Sequence, residues 1–344
     1  MQHPTFKPLT EQTIVITGAS SGIGLVTAKL ATRRGARVVL AARNGADLRA
    51  AVDDIHREGG AAVHVVADVA NPDEVERIAD AANREFGAFD TWVNNAGVAL
   101  YGRLEEVPLE DMRRQMDVNF WGQVHGSLTA VKHLKHMGGA IINIASGLAD
   151  LSVPLQGIYC ASKAALKSFT DTLRLEVEEA GFPISVTLIK PSSIDTPFFE
   201  KARSYMGVEP KAIPPVYAPE VVARTILECA ARPVREIAVG GPAPVLTSVS
   251  RLTPRLSDRM MERTQFDAPR SDRPITSDHV DNLHAPVRTD GGARGSNTSG
   301  RVMQSSLYTS AKLHPKRTGV AVFGAGLAIL AALAISNKEI GNRK

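Results

Sequence analysis

Residues 13–24 read TIVITGASSGIG, an apolar run that leads into a glycine-rich turn. Gly18, Gly22 and Gly24 fall between that run and an amphipathic stretch that begins at Ile23. Glycines between a strand and a helix let the backbone turn tightly and approach a pyrophosphate, which the free N–H groups of the helix N-terminus bind. Glycines also occur in ordinary turns, so the glycines alone do not identify a dinucleotide site. Their position between a strand and a helix is what predicts one.

The same alternation of apolar runs and amphipathic stretches continues to residue 240. Runs typical of buried strands occupy residues 13–17, 37–42, 63–67, 90–94, 140–145, 184–189 and, more weakly, 237–240. Helical patterns occupy residues 23–34, 46–58, 72–86, 109–137, 158–180 and 219–231. Short runs rich in Val and Ile are typical of parallel strands covered on both faces. The pattern predicts an α/β fold, a Rossmann-like doubly wound parallel sheet of about seven strands with helices on both faces.

The composition changes beyond residue 240. Residues 251–266 predict a short amphipathic helix, and residues 267–300 are rich in Asp, Arg, Ser, Gly, Asn and Pro, which is typical of linkers. We therefore expect a dinucleotide-binding and catalytic domain at 1–245 and an amphipathic, low-complexity linker at 246–317. A possible anchor helix at 318–336 and a basic tail at 337–344 would follow.

The segment 319–335, GVAVFGAGLAILAALAI, has 17 residues and no charge. That length is at the lower edge of what spans a bilayer, and basic residues flank it on both sides. The segment predicts a C-terminal membrane anchor; the alternative is an Ala-rich helix packed on its own protein or on a partner subunit. The N-terminus has no signal-peptide pattern, so we expect the catalytic domain in the cytoplasm.

The charge is unevenly distributed. Residues 251–344 carry 15 Lys and Arg against 8 Asp and Glu, whereas the first 250 residues carry 25 against 28. A mildly acidic globular part with a basic tail does not favour nucleic-acid binding, and suits a membrane surface better. The two cysteines, Cys160 and Cys229, and the histidines show no disulfide or metal pattern, so no metal site is predicted.

Tyr159 and Lys163 are four residues apart in the run YCASK. On a helix that spacing places both side chains on one face. A nearby ammonium favours the phenolate and so lowers the pKa of a tyrosine, which can then pass a proton near neutral pH. We therefore predict that Tyr159 and Lys163 handle protons in a catalytic site, with Cys160 between them as packing.

The end of the second strand bears on cofactor preference. An NAD-selective site usually places an acid there to hold the ribose 2′-hydroxyl, but this chain has Ala42 followed by Arg43. An arginine suits a 2′-phosphate, so NADP(H) is the preferred cofactor and NAD(H) the alternative. A solvated Arg43 at a strand end is the other interpretation. Asp68 and Val69, after the third strand, are expected to cover the adenine, unless Asp68 merely caps a loop.

Further motifs follow in order: Asn94-Asn95-Ala96-Gly97, then Asn119, Ser146, Tyr159 and Lys163. Together with the glycine-rich loop they resemble the short-chain dehydrogenase/reductase family, in its single-domain subgroup with the T-G-x-x-x-G-x-G loop. The resemblance covers about residues 10–240.

The resemblance implies hydride transfer between a nicotinamide cofactor and a carbonyl or alcohol. Tyr159 would be the general acid/base, Lys163 would lower its pKa and hold the nicotinamide ribose, and Ser146 would bond the substrate oxygen. Asn119 would hold a water behind Lys163. The implied cofactor-binding residues are Gly18, Ser20, Ser21, Gly22, Ile23, Gly24, Asn95, Ala96, Gly97, Pro191, Ile194 and Thr196. Residues 191–196, PSSIDT, match the family pattern P-G-x-x-x-T but carry Ser192 where glycine is usual.

The substrate side is less specific. In this family residues 198–217 would form a mobile lid, whose Phe198, Phe199, Tyr205, Met206 and Val216 are apolar or aromatic. With Leu148, Leu151 and Val153 they hint at an apolar, lipid-like carbonyl or alcohol. The alternatives are a catalytically idle NADP(H)-binding sensor or scaffold at a membrane, and a non-redox epimerase or dehydratase. The family commonly pairs subunits through the helices predicted at 109–137 and 158–180, so we expect a homo-oligomer.

Overall fold

The computed structural model describes residues 6–241, 247, 250, 252–276, 278–289, 292–296 and 300–314. The anchor predicted at 319–335 lies outside these residues. Within them, no helix combines the length and the apolar character needed to cross a membrane.

Seven parallel strands form the central sheet, which confirms the predicted fold class. They are β1 (Thr13–Thr17), β2 (Arg37–Ala42), β3 (Ala61–Val66), β4 (Thr91–Asn94), β5 (Gly139–Ile144), β6 (Ile184–Pro191) and β7 (Glu236–Val239). Their order across the sheet is β7-β6-β5-β4-β1-β2-β3. All six pairings between neighbours are parallel. The order reverses between β1 and β4, where an open α/β sheet has its ligand cleft.

The described helices cover both faces of that sheet. They are α1 (Gly22–Arg33), α2 (Gly45–Arg57), α3 (Pro72–Phe86), α4 (Leu109–Met116), α5 (Gly122–Leu134), α6 (Gly157–Glu179), α7 (Pro219–Ala231), α8 (Pro254–Thr264) and α9 (Leu307–Leu313). Successive side chains of a strand point to opposite faces of the sheet, and each face packs in its own hydrophobic cluster. In β1, Ile14 and Ile16 belong to one cluster and Val15 belongs to the other. α3 begins after Asn71, whose side chain caps the helix by accepting a hydrogen bond from the Asp73 amide.

The single long helix predicted at 109–137 is wrong in two respects. A π-helical turn at Asp117–Trp121 separates α4 from α5, and α5 ends at Leu134. Asn119 lies in the π-turn, fully buried, and its side chain binds the main chain of Val98 twice. The Val98 amide donates to Asn119 Oδ1 at 2.8 Å, and Asn119 Nδ2 donates to the Val98 carbonyl at 3.0 Å. The wider π-turn orients the Asn119 side chain toward the sheet. The helical periodicity of the sequence does not predict this turn.

The C-terminal extension also differs from the linker that its composition predicts. The strand Arg270–Pro274 pairs antiparallel with Val208–Pro210 of the lid. The strand Val302–Met303 pairs in parallel with Val216–Tyr217, which in turn pairs with Ser193–Ile194. The described part of the extension is therefore attached to the domain by main-chain hydrogen bonds, which any composition can form.

A glycine-to-alanine change on α5 tests how tightly that helix packs on β4. A Cβ atom at Gly126 would lie 2.0 Å from Asn94 Oδ1 and 2.7 Å from Trp92 Nε1. Asn94 cannot easily move, because its Nδ2 donates to Asn143 Oδ1 at 2.8 Å inside the core. We expect Gly126→Ala to lower the free energy of unfolding by about 2 kcal/mol, although alanine favours a helix by about 1 kcal/mol.

Urea denaturation of Gly126→Ala measures this effect. Ser168→Ala, at an exposed position of α6, is the matched control and should change stability by less than about 0.5 kcal/mol. A Gly126→Ala variant as stable as the control would show that α5 lies farther from β4 than described.

Candidate active site

A cavity of about 390 Å³ opens at the C-terminal ends of the central strands. Most residues predicted for the site line it together, although they come from segments far apart in the chain. These residues are Gly18, Ser20, Ser21, Gly22, Ile23, Arg43, Asp68, Val69, Asn95, Ala96, Gly97, Ser146, Tyr159, Lys163, Pro191, Ile194 and Thr196. Gly24 and Asn119 do not line the cavity and lie behind its wall.

The glycine-rich loop has the backbone that a pyrophosphate cradle requires. Gly18 and Gly22 have φ values of 65° and 54°, in the left-handed region that favours glycine. A Cβ at Gly24 would lie 2.3 Å from the Gly18 carbonyl oxygen, so only glycine lets the loop fold back on the start of α1. The first N–H groups of α1 border the cavity at Gly22 and Ile23. These features fit a bound dinucleotide.

Asn95 and Ala96 hold this loop in place as well as lining the cavity. Both amides donate to Thr17 Oγ1, at 3.0 and 3.1 Å. Asn95 Nδ2 donates hydrogen bonds to the carbonyls of Thr17 at 2.9 Å and Gly18 at 3.1 Å. The end of β4 is thereby fixed to the turn after β1.

Arg43 and Asp68 also border the cavity, and each already has hydrogen-bond partners. Arg43 Nη1 donates to the carbonyls of Leu283 at 3.3 Å and His284 at 3.2 Å. Asp68 accepts from Arg114 Nη2 at 2.5 Å and from the Ala70 amide at 3.0 Å. Asp68 therefore caps its loop, the alternative left open by the sequence, while it also borders the cavity.

Tyr159 and Lys163 share one face of α6, with Lys163 Nζ 5.8 Å from the centre of the Tyr159 ring. Burial raises the pKa of Tyr159 above its ordinary value, and the nearby Ser146 hydroxyl only partly offsets this. Burial also lowers the pKa of Lys163 to about 7, and its Nζ donates to the Ile144 carbonyl at 2.9 Å. The protein alone therefore does not lower the pKa of Tyr159 as the spacing predicts, because desolvation disfavours the charged form of both groups.

Ser146 follows β5, where it both caps a turn and borders the cavity. Its Oγ caps a short 3-10 turn by accepting from the Leu148 amide at 3.1 Å. The same side chain borders the cavity near Tyr159. A hydroxyl that accepts one bond from the main chain retains its own proton for donation to a ligand.

The departure from glycine at Ser192 causes no backbone strain. Among the non-glycine residues that the structure describes, only Leu155 has a φ in the left-handed region. The Ser192 amide donates to the Val239 carbonyl at 2.9 Å, and its buried Oγ has no hydrogen-bond partner within the described part of the chain. The loop that carries Pro191, Ile194 and Thr196 keeps its place beside the cradle, since Thr196 lies 3.1 Å from where a Cβ of Gly22 would stand.

The lid residues divide into two groups. Phe198 and Phe199 line the cavity, as do Leu148, Leu151 and Val153. Tyr205, Met206 and Val216 do not line it. The Tyr205 hydroxyl instead donates to Asp111 at 2.6 Å. The side chains of Met206 and Val216 are buried away from the cavity.

The cavity is also lined by side chains that no motif marks, among them Gln156, Lys201 and Met261. Gln156 is a polar residue that is only 8% exposed. Lys201 Nζ donates to Ser21 Oγ at 2.8 Å, which places a cation beside the phosphate loop. Met261 comes from α8 in the extension. Gln156 stands three residues before Tyr159, but spacing alone does not distinguish it from a helix-start residue.

Comparison with known proteins gives the chain a family context. The sequence profile described as short chain dehydrogenase matches residues 12–207. An uncharacterized oxidoreductase, YxnA of Bacillus subtilis, is 42% identical over 325 residues, which cover 92% of this chain and 90% of YxnA. That match therefore continues beyond the family profile into the C-terminal extension.

More distant matches cover a smaller share of the chain. The 11-beta-hydroxysteroid dehydrogenase 1A of Arabidopsis thaliana is 39% identical over 188 residues, which cover 53% of this chain and 52% of that protein. An alcohol dehydrogenase from the archaeon Thermococcus sibiricus, solved in complex with 5-hydroxy-NADP, has a TM-score of 0.59 and 24% identity. The match covers 66% of this chain and 95% of that one, and shows a common fold.

The buried lysine gives a stability test. Its pKa is about 7 in the folded protein against an ordinary value of 10.5, so between these pH values the unfolded chain binds more protons than the folded one. The contribution of Lys163 to stability therefore rises with pH, by at most about 1.4 kcal/mol per pH unit. We expect wild type to gain stability relative to Lys163→Met as the pH increases from 7 to 9.5.

Chemical denaturation at several pH values checks this trend. Lys167→Met is the matched control, because Lys167 is on the same helix, partly exposed and paired with Asp171 at 3.1 Å. The Lys167→Met curve should run parallel to wild type. A parallel curve for Lys163→Met as well would contradict the burial effect.

Proposed function

Because the chain belongs to the short-chain dehydrogenase family and is similar to an oxidoreductase along most of its length, we propose that it transfers a hydride between NADP(H) and an apolar carbonyl or alcohol. The observation that carries the proposal is the shared cavity. One end holds the glycine-rich loop and Arg43, and the other holds Ser146, Tyr159 and Lys163. A cofactor bound along the loop would bring its nicotinamide toward Tyr159.

The side chains at the catalytic end are suited to proton transfer. When bound, the nicotinamide supplies or accepts the hydride at the substrate carbon. In the direction of reduction, the Tyr159 hydroxyl gives its proton to the substrate oxygen, and in oxidation the phenolate takes it back. The Ser146 hydroxyl donates a hydrogen bond to the same oxygen, where negative charge develops.

Lys163 acts on this step through Tyr159. The ammonium form of Lys163 favours the Tyr159 phenolate. Because the pKa of Lys163 is low, other groups must stabilise the ammonium form before it can have this effect. Ribose hydroxyls and the Ile144 carbonyl are the acceptors we assign to it. Asn119 supports the wall behind Lys163, since the Cβ position of Gly97 lies 3.4 Å from Asn119 Oδ1 and 4.0 Å from Lys163 Nζ.

The preference for NADP(H) rests on Arg43. Its guanidinium lies at the end of β2 and borders the cavity, where the ribose of the adenosine half would lie. A guanidinium binds phosphate oxygens with two parallel hydrogen bonds, and no carboxylate follows β2 to hold a 2′-hydroxyl instead. NAD(H) would then bind more weakly, through the loop alone.

An apolar substrate suits the wall around Tyr159. Phe198 lies edge-on to the Tyr159 ring with centroids 6.0 Å apart, and Leu151, Ile213 and Met261 also line this region of the cavity. Gln156 is the buried amide that could bind a second polar group on such a substrate. The hydroxysteroid dehydrogenases among the relatives act on large apolar alcohols by name, which favours the same class here. An idle sensor finds no support among these relatives.

Tyr159→Phe tests the catalytic assignment. Losing the hydroxyl should lower ketone-dependent NADPH oxidation by about 10²- to 10⁴-fold, because the substrate oxygen has no positioned proton donor. NADPH affinity, measured by fluorescence titration, should stay within about three-fold since the ring remains. Tyr308→Phe, outside this cavity, is the matched control and should keep full turnover. Undiminished turnover in Tyr159→Phe would refute the assignment.

Arg43→Ala tests the cofactor preference. We expect the dissociation constant for NADP⁺ to rise by about 10- to 100-fold, the size of a lost charged hydrogen bond, while that for NAD⁺ changes little. Isothermal titration with both cofactors measures the ratio. Arg49→Ala, at an exposed position of α2, controls for the loss of one positive charge. Equal losses for both cofactors would argue against a 2′-phosphate site at Arg43.

A further inference from the structure

Residues 281–289 of the extension, which we call the strap, run along the cavity at the Arg43 end. Asn282 and Pro286 of the strap line the cavity directly. The Arg43 guanidinium donates to three consecutive strap carbonyls, those of Asn282, Leu283 and His284. Asn44 adds a fourth contact, because its Nδ2 donates to the Val287 carbonyl at 3.0 Å. The strap therefore covers the place assigned to the 2′-phosphate.

The strap is built into the fold on its inner side. The Leu283 side chain is fully buried in the same apolar cluster as Val69. Its carbonyl also accepts from Arg114 Nε at 3.1 Å, and Arg114 in turn binds Asp68. Val287 is also buried. Buried apolar side chains make many close contacts, so the strap is a packed element whose most deeply buried residue is Leu283.

A second set of contacts ties the strap to the lid and to α4. Asp281 binds Arg203 Nε at 2.9 Å, and the Asn282 amide donates to the Lys201 carbonyl at 3.0 Å. His284 Nε2 lies 2.6 Å from Asp111, a nearly buried carboxylate that Arg203 also binds. Burial raises the pKa of Asp111, but hydrogen bonds from Tyr205, His284 and Arg203 outweigh it, so the pKa lies below its ordinary value. The carboxylate is thus held in its charged form, which suits the Arg203 guanidinium.

The contacts on Arg43 use the chemistry that a phosphate would use. Carbonyl oxygens accept the same guanidinium N–H groups that would bind phosphate oxygens, so the two acceptors exclude each other at those donors. A similar contact occurs at the phosphate loop, where the Gly22 amide donates to the Gly292 carbonyl at 2.9 Å. Neutral carbonyls bind a guanidinium less strongly than a phosphate dianion does. The strap can therefore be displaced, at a free-energy cost.

We propose that the strap competes with the 2′-phosphate of NADP(H) for Arg43 and thereby sets the strength of the preference for NADP(H) over NAD(H). This inference rests on the proposed function for the assignment of Arg43. NAD(H) has no group that needs those donors, so it does not have to displace the three carbonyls. The measured selectivity is then the intrinsic selectivity of Arg43 reduced by the fraction of molecules with a closed strap.

The test loosens the strap without touching the cavity-lining side chains. Asp281→Ala removes the link to Arg203, and Leu283→Ala shortens the most deeply buried side chain of the strap. Asp267→Ala removes an exposed carboxylate of the same extension and is the matched control. In isothermal titration of the full-length chain, we expect both strap variants to bind NADP⁺ about three- to ten-fold more tightly, and NAD⁺ with less than about two-fold change. The control should match wild type.

Leu283→Ala also removes buried surface and can lower stability, so Asp281→Ala is the variant on which the result depends. Hydrogen exchange supplies a second measurement on the unmodified chain. Saturating NADP⁺ should speed exchange of the amides in residues 281–289, whereas saturating NAD⁺ should leave them as they are. Slower exchange with NADP⁺ would mean that the strap closes on the cofactor, and would overturn the proposal.

The outcomes separate the two proposals. If Arg43→Ala weakens NADP⁺ binding but Asp281→Ala leaves the ratio of the two dissociation constants unchanged, the strap inference fails and the cofactor assignment stands. Weaker NADP⁺ binding in Asp281→Ala would overturn the inference as well, because the strap would then position Arg43 for the phosphate. If Arg43→Ala affects neither cofactor, the cofactor assignment itself fails.

Discussion

The hydroxyl of Thr17 carries the geometry on which the site depends. It accepts hydrogen bonds from the amides of Asn95 and Ala96 and donates to the Val93 carbonyl at 3.3 Å. These bonds join the ends of β1 and β4 at the point where the strand order reverses, so the chains that leave the two strands diverge and open a cleft. The glycine-rich loop, and with it the start of α1, is positioned from this point.

At the opposite end of the cleft, desolvation dominates the electrostatics. The four-residue spacing of Tyr159 and Lys163 predicts a lower pKa for Tyr159, because an ammonium attracts a phenolate. In the structure both groups are almost fully buried, and burial favours the neutral form of each. The proposed proton transfer through Tyr159 therefore requires other groups that stabilise the charge on Lys163. The spacing of the two residues thus predicts their proximity but not the sign of the shift.

Local pattern predicts the central domain well, because strands and helices there follow from periodicity and capping within each segment. All seven strands lie within two residues of their predicted positions. The π-turn at Asn119 could not be predicted, since its cause is a pair of bonds to Val98, 21 residues away. The extension is missed for a similar reason. Its pairing of Pro210 with Arg270 depends on main-chain groups, which leave no trace in composition.

The same distinction applies within the site. Gly18, Gly22 and Tyr159 belong to contiguous motifs and were predicted from them. Lys201 and Met261 reach the cavity from a lid and a helix whose positions depend on the completed fold, so no short pattern marks them. The part of the cavity lined by contiguous motifs is therefore predicted from sequence better than the part lined by the lid and the extension.

The pairing of the lid with the extension has a consequence for biosynthesis. The lid strand Val208–Pro210 is made about 60 residues before its partner Arg270–Pro274, and Val216–Tyr217 waits longer still for Val302–Met303. At about 5 to 20 residues per second, a ribosome needs several seconds to supply those partners. All seven strands of the central sheet are synthesised before that. During each round of synthesis, the whole sheet is therefore made before the segments of the extension that pair with the lid.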